Sequence, residues 1–167
     1  METLIMSLMI WISQATGWAI PEAPNVEYYT KAEMISLAYE CDIKIDVDNK
    51  YVCELSDEEK ATSDDLIKPL ALYDTIREIV ILPEHFDADS IKDQSILLHE
   101  LVHYMQWKNE IWPNEYICRE HTEKDAYRLQ EQFLAEAGMD IHEEIQIGPL
   151  LRFMLTECQG GPGAWGR

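Results

Sequence analysis

The chain has 167 residues, enough for one domain with a real core, and its 32 Asp and Glu against 13 Lys and Arg give a formal net charge of −19. A surface this acidic repels phosphate backbones and anionic lipid, which argues against nucleic-acid and membrane-surface partners. It leaves two readings, a solvated acidic surface for most of these charges, or one that draws in metal ions or positively charged peptides.

The first residues, METLIMSLMIWISQATGWAIPEAP, carry an apolar run from Leu4 to Ile12 that is too short to span a bilayer. Its length suits the apolar region of a secretory leader cleaved after Ala15 or Ala19, although Glu2 precedes it and no Lys or Arg does. The other reading is an N-terminal helix packed on the domain. Residues 1–19 are therefore expected to be a signal peptide or N-terminal hydrophobic segment, residues 20–158 a single domain, and residues 159–167 a Gly/Pro tail. Cys41, Cys53, Cys118 and Cys158 contain no CxxC pair, so a structural zinc ribbon is not expected. An even number of cysteines behind a leader fits disulfides and export to a periplasmic or secreted location. Cys41 with Cys53 and Cys118 with Cys158 is the preferred pairing, and four reduced thiols are the alternative.

Thr30 to Glu40 reads as a helix, with Thr30 and Glu33 in capping-box spacing and Met34, Leu37 and Ala38 as its apolar stripe. Past Cys41 the chain turns polar, with a strand candidate at Tyr51 to Leu55, and EEKATSDD reads as a loop or a turn of helix. Leu70 to Tyr73 and Glu78 to Leu82 are short β-rich runs around DTIR, a hairpin pattern closed by Pro83. Asp89 or Ser90 is positioned to cap a helix running to about Lys108. Pro113 is placed to open the next helix and Gly138 to end it, and a last helix is expected from Ile141 to Glu157, disturbed at Gly148-Pro149. The order implies an α+β fold, a small antiparallel sheet or hairpin packed against three following helices.

The helix that begins at Asp89 or Ser90 contains LLHELVHYMQ. On a helical wheel Leu97, Leu98, Leu101, Val102 and Met105 form one stripe, while His99, Glu100 and His103 gather opposite, flanked by Ile96 and Trp107. Imidazoles one turn apart can converge on a single metal ion, and the intervening glutamate can then hold a proton; this is the HExxH zinc-peptidase signature. Gln106 and Asn109 stand where a metzincin would have its glycine and third histidine, which excludes that class. The next helix offers Glu120, His121, Glu123 and Asp125. Tyr116, Arg119, Ala126, Tyr127, Gln130, Phe133, Leu134 and Ala137 form its buried-looking face, and Glu123 lies within that stripe. A core-facing carboxylate is costly unless paired or metal-bound, which singles out Glu123, with Arg119 as its alternative partner.

On HELVH and the downstream Glu-x-x-Ala the chain resembles the gluzincins, in particular the minimal type built of few helices and a small sheet. Residues 70 to 137 carry the resemblance, and LPEHFD…LLHELVHYMQ…EKDAYRLQ is also similar to small, uncharacterised bacterial proteins classed with metallopeptidases. The resemblance implies a zincin-like fold and one Zn²⁺ per chain, with His99, His103 and Glu123 as ligands and Glu100 as general base in peptide hydrolysis. It also implies that REIVIL runs beside the cleft and pairs with an extended peptide. The thermolysin-type NExxSD is only partly matched: Thr122 replaces the Asn, Ala126 the Ser and Tyr127 the Asp, so the partner of the first histidine stays unassigned. Tyr127 and His142 are candidate oxyanion donors, with Tyr104, His121 and His85 behind them. The alternative function is a zinc-binding sensor or partner-binding module without hydrolysis. The expected partner is a peptide or protein, cationic on the strength of the net charge, with no nucleic acid and no membrane span.

Overall fold

Four consecutive apolar residues, Ile79 to Leu82, do not alternate, and a strand of that kind must be buried on both faces. They form β6 (Ile79–Pro83), whose four apolar residues are all buried. In a computed structural model that describes residues 1–39, 42–45, 51–54, 60–62, 69–111, 118 and 120–158, β6 is the central strand of a three-stranded sheet. Strand β1 (Asn25–Tyr29) pairs with it in parallel and β5 (Leu72–Asp74) in antiparallel fashion. The expected hairpin is present. Its turn is closed by Asp74, whose Oδ1 accepts from the backbone N–H of Ile76 at 2.9 Å and of Arg77 at 3.0 Å, the side-chain–backbone turn typical of aspartate. The expectation that REIVIL lines the cleft as a pairing edge is corrected, because both edges of β6 are already occupied, and among the described residues the outer strands of this sheet are β1 and β5.

A second sheet joins β2 (Asp42–Ile45), β3 (Tyr51–Glu54) and β4 (Lys60–Thr62), all antiparallel. Part of EEKATSDD is thus strand rather than loop or helix; β3 supplies the pairing partner that its polar residues did not advertise. Cys41 lies outside the described residues, as does the side chain of Cys53, so the pairing expected of them does too.

Helix α2 (Lys31–Tyr39) carries the expected capping box: Glu33 Oε2 accepts from the Thr30 N–H at 2.8 Å, and Thr30 Oγ1 accepts from the Glu33 N–H at 3.3 Å. Helix α3 (Ile91–Lys108) is capped by Ser90, which accepts from the Asp93 N–H. Helix α4 (Glu120–Glu136) packs along α3 and is followed by Gly138 at φ 75°, the left-handed position expected of it. Pro113 and Arg119 lie outside the described residues. The single last helix of the sequence reading is instead two, α5 (Ile141–Ile145) and α6 (Pro149–Thr156), because Gln146 at φ 57° breaks the helical path and Pro149 restarts it at an N-terminal position. Cys118 and Cys158 form a disulfide with a Cα–Cα distance of 5.9 Å across a sequence separation of 40. It ties the approach to α4 to the end of α6. Closing a loop of that length stabilises a fold by about 4 kcal/mol through the unfolded chain.

Helix α1 (Glu2–Thr16) packs on α3. Ile5, Leu8, Met9 and Ile12 are buried in one cluster with Leu97, Leu98, Leu101, Val102 and Met105 of α3. Gly17, at φ 80°, ends the helix in the left-handed form with its N–H bonded to Ser13 O at 2.8 Å. Trp11 then reaches Glu136 Oε2 through its indole N–H at 3.0 Å, and the Asn109 side chain pairs with both backbone groups of Ala19. Of the two readings of residues 1–19, the packing is that of an N-terminal helix seated on the domain. Among the described residues no helix is long and apolar enough to cross a membrane.

Candidate metal centre

Helix α3 buries both of its faces. One is the apolar stripe against α1. The other carries His99, Glu100 and His103 under α4, and His99 and Glu100 there are only 8% and 9% exposed. A buried glutamate and histidine demand partners. Glu123, in the first turn of α4, meets both imidazoles: its Oε2 lies 3.2 Å from His99 Nε2 and its Oε1 3.3 Å from His103 Nε2. The two Nε2 atoms are themselves 3.2 Å apart.

The far side of each ring fixes what the near side can be. Gln106 Nε2 donates to the carbonyl of Thr122 at 3.0 Å, which orients its amide so that Oε1 faces His103 Nδ1 at 3.0 Å. Gln130 Nε2 donates to Ser95 Oγ at 3.3 Å, whose own proton goes to Lys92 O, so Gln130 Oε1 faces His99 Nδ1 at 3.1 Å. An amide oxygen only accepts, so both Nδ1 atoms carry protons, and a ring that holds no second proton turns a bare Nε2 lone pair toward the other ring and toward a carboxylate. Three acceptors crowd one point. A single added proton relieves one contact, whereas a cation satisfies all three. Metal–ligand bonds of about 2.0–2.1 Å in tetrahedral array separate neighbouring donors by about 3.3–3.4 Å, close to the 3.2, 3.2 and 3.3 Å found here. The residues present therefore fit a zinc-type cation.

The same crowding shows in the electrostatics, where a proton on His103 takes the place that a cation would fill. Burial by itself would lower the His103 pKa, but Glu123, through its charge and hydrogen bond, and Glu100 together carry it up to about 9. Burial would raise Glu123, yet the two imidazoles hold its carboxyl far below the usual carboxylate range. For Glu100 burial outweighs the imidazoles and the Tyr73 backbone N–H that donates to it, and pushes its carboxyl up.

The centre opens on a cavity of about 1100 Å³ whose lining includes Leu70, Leu72 and Tyr73 around β5, Ile96 of α3, and Leu151 and Leu155 of α6. Tyr127 also lines it, one helical turn from Glu123, with its ring centroid 4.6 Å from that of His99. Burial, reinforced by Glu123 and Glu100, raises its phenol pKa, so the hydroxyl stays a proton donor. His142 is not brought to the cavity; its Nδ1–H donates to Ile147 O at 2.8 Å and holds the α5–α6 turn, which removes it as an oxyanion donor. Tyr104 donates to Glu22 O, Asp125 pairs with Arg128 at 3.2 Å, and His121 sits beside Cys158.

Gln106 and Gln130 are the functional residues that the sequence reading missed as partners. Each is 2% exposed; for Gln130 its place in the buried-looking face of its helix was the available signal, while Gln106 lies on the His99 side of α3. Replacing Gln130 by alanine should weaken metal affinity about 10–100-fold by freeing the His99 tautomer. Competition against a chelator measures this, and unchanged affinity would refute the role assigned to the amide.

No curated protein and no solved structure matches the chain. A family model does match it, over residues 1–148, and its description is Domain of unknown function (DUF6647). The match spans α1, both sheets and the His99–His103–Glu123 cluster, and the chain belongs to that family.

Proposed function

We propose that this protein is a zinc-dependent peptidase with a zincin-like arrangement of sheet edge, HExxH helix and ligand-bearing helix. The observation that carries the reading is the acceptor-only pocket of His99, His103 and Glu123 beside a buried glutamate of raised pKa. Bound there, zinc would supply Lewis acidity. Glu100 takes a proton from the attacking water and returns it to the departing amine, a task that suits a carboxyl shifted toward neutrality. Tyr127 donates to the developing oxyanion. The outer edge of β5, unpaired by any strand among the described residues and facing Glu100 through the Tyr73 N–H, receives the extended peptide by strand addition.

The cleft favours apolar side chains over the cationic ones expected from net charge. Among the described residues lining the cavity, Glu100 and Glu123 are the only Asp or Glu, while Leu70, Ile96, Ile147, Leu151 and Leu155 line it too. Export fits the Cys118–Cys158 disulfide.

Metal content tests the centre directly. The purified protein should hold about one zinc per chain after loosely bound ions are removed, and Glu123→Ala should lose it or bind it far more weakly. A wild-type chain that takes up no zinc even when it is supplied would end the peptidase reading.

A further inference from the structure

The approach to α4 and the end of α6 carry a second group of metal-ligating side chains that the proposed reaction does not use. His121 Nε2 lies 3.5 Å from the Sγ of Cys158, which is disulfide-bonded to Cys118. One ligand atom from each of Cys118, His121 and Cys158 falls within 4.8 Å of the others. The spacing follows from a backbone turn in which the His121 N–H bonds to Cys118 O at 3.2 Å, setting a Cys-x-x-His pair on one side of the chain. All three are half-buried, so small reductants and ions can reach them.

We infer that Cys118, His121 and Cys158 form a redox-gated site for a thiophilic divalent cation such as zinc. It is closed while the sulfurs are bonded to each other and open once a thiol reductant has cleaved that bond. The step balances: two small thiols deliver two electrons and two protons, the S–S bond breaks, two cysteine thiols form, and the reductant leaves as its own disulfide. The cation then displaces one proton from each thiol and takes both thiolate sulfurs together with the imidazole lone pair. Two thiolates neutralise the divalent charge, and two sulfurs with one imidazole are a donor set that zinc favours. In either state the two ends stay joined, by a covalent bond or by the cation, so the first turn of α4, which carries Glu123, remains anchored to α6. The inference shares no ligand with the His99–His103–Glu123 centre and does not rest on the peptidase reading.

Cobalt titration of the full-length chain, reduced with a phosphine under argon, tests it. Thiolate-to-cobalt charge-transfer absorption reports sulfur ligands alone, and the nitrogen–oxygen centre cannot produce it. The reduced wild type should develop this band to saturation and the oxidised chain should not. Cys158→Ser should abolish it, Cys53→Ser should keep it, and His121→Ala should weaken cobalt binding by about tenfold or more. No band in the reduced chain, a band that survives Cys158→Ser, or one lost in Cys53→Ser would overturn the inference. If reduction melts the helices, circular dichroism through the same titration decides: recovery of helix on adding cobalt supports the site, and a chain that stays unfolded overturns it.

Discussion

Glu100→Gln should lower peptide hydrolysis by about 10²–10⁴-fold, the usual contribution of a positioned general base, while metal content stays at the wild-type level. The substitution keeps the side-chain volume and leaves an amide oxygen to accept from the Tyr73 N–H that now bonds the carboxylate. It removes only the capacity to hold a proton. Because Glu100 is 9% exposed under α4, bulk water is a poor substitute base. The measurement is turnover of a quenched peptide library rich in large apolar residues, with metal analysis of the same samples. A fall in turnover with metal retained identifies Glu100 as the proton carrier. Equal turnover in the two proteins would move the chemistry elsewhere. Metal binding with no hydrolysis in either protein would leave a zinc-binding module on this fold.

Much of the centre was legible because helical geometry turns spacing directly into proximity. His99 and His103 one turn apart, and a carboxylate lying in the buried stripe of the next helix, required no knowledge of the fold. The two glutamines were harder. Gln106 and Gln130 act through hydrogen bonds to groups on neighbouring turns and helices, and even the place of Gln130 in a buried-looking face does not tell which group its amide meets. Strand β1 was missed because its parallel pairing to β6 is a long-range contact, and residues 25–29 have no alternation to announce it. The reverse happened at REIVIL: its unbroken apolar run already implied a strand buried on both faces, which is incompatible with an open edge. The amino-terminal run was ambiguous for a similar reason. Ile5, Leu8, Met9 and Ile12 have the i, i+3, i+4, i+7 spacing of an amphipathic helix. The exposed Met6 and Ile10 between them fill in the pattern and make it look like a leader.

Removing residues 1–19 should therefore unfold the protein rather than mature it. Four buried apolar side chains of α1, each contributing about 1.5–3 kcal/mol, together approach the whole stability of a typical domain, about 5–15 kcal/mol. The milder variant Ile12→Ala leaves the chain intact and empties a fully buried position. It should cost about 2–5 kcal/mol, the usual range for such a truncation. Urea unfolding at equilibrium measures the difference, and the slope of the transition reports whether the surface exposed on unfolding has changed. The effect should reach the metal centre, because α1 packs on the face of α3 opposite His99 and His103. If α3 loses that backing, the donor atoms lose their spacing, so zinc affinity should fall in Ile12→Ala although the residue touches no ligand. A truncated chain that still unfolds cooperatively at the wild-type urea midpoint and still binds zinc would mean that α1 is a leader after all, and that the α3 core closes without it.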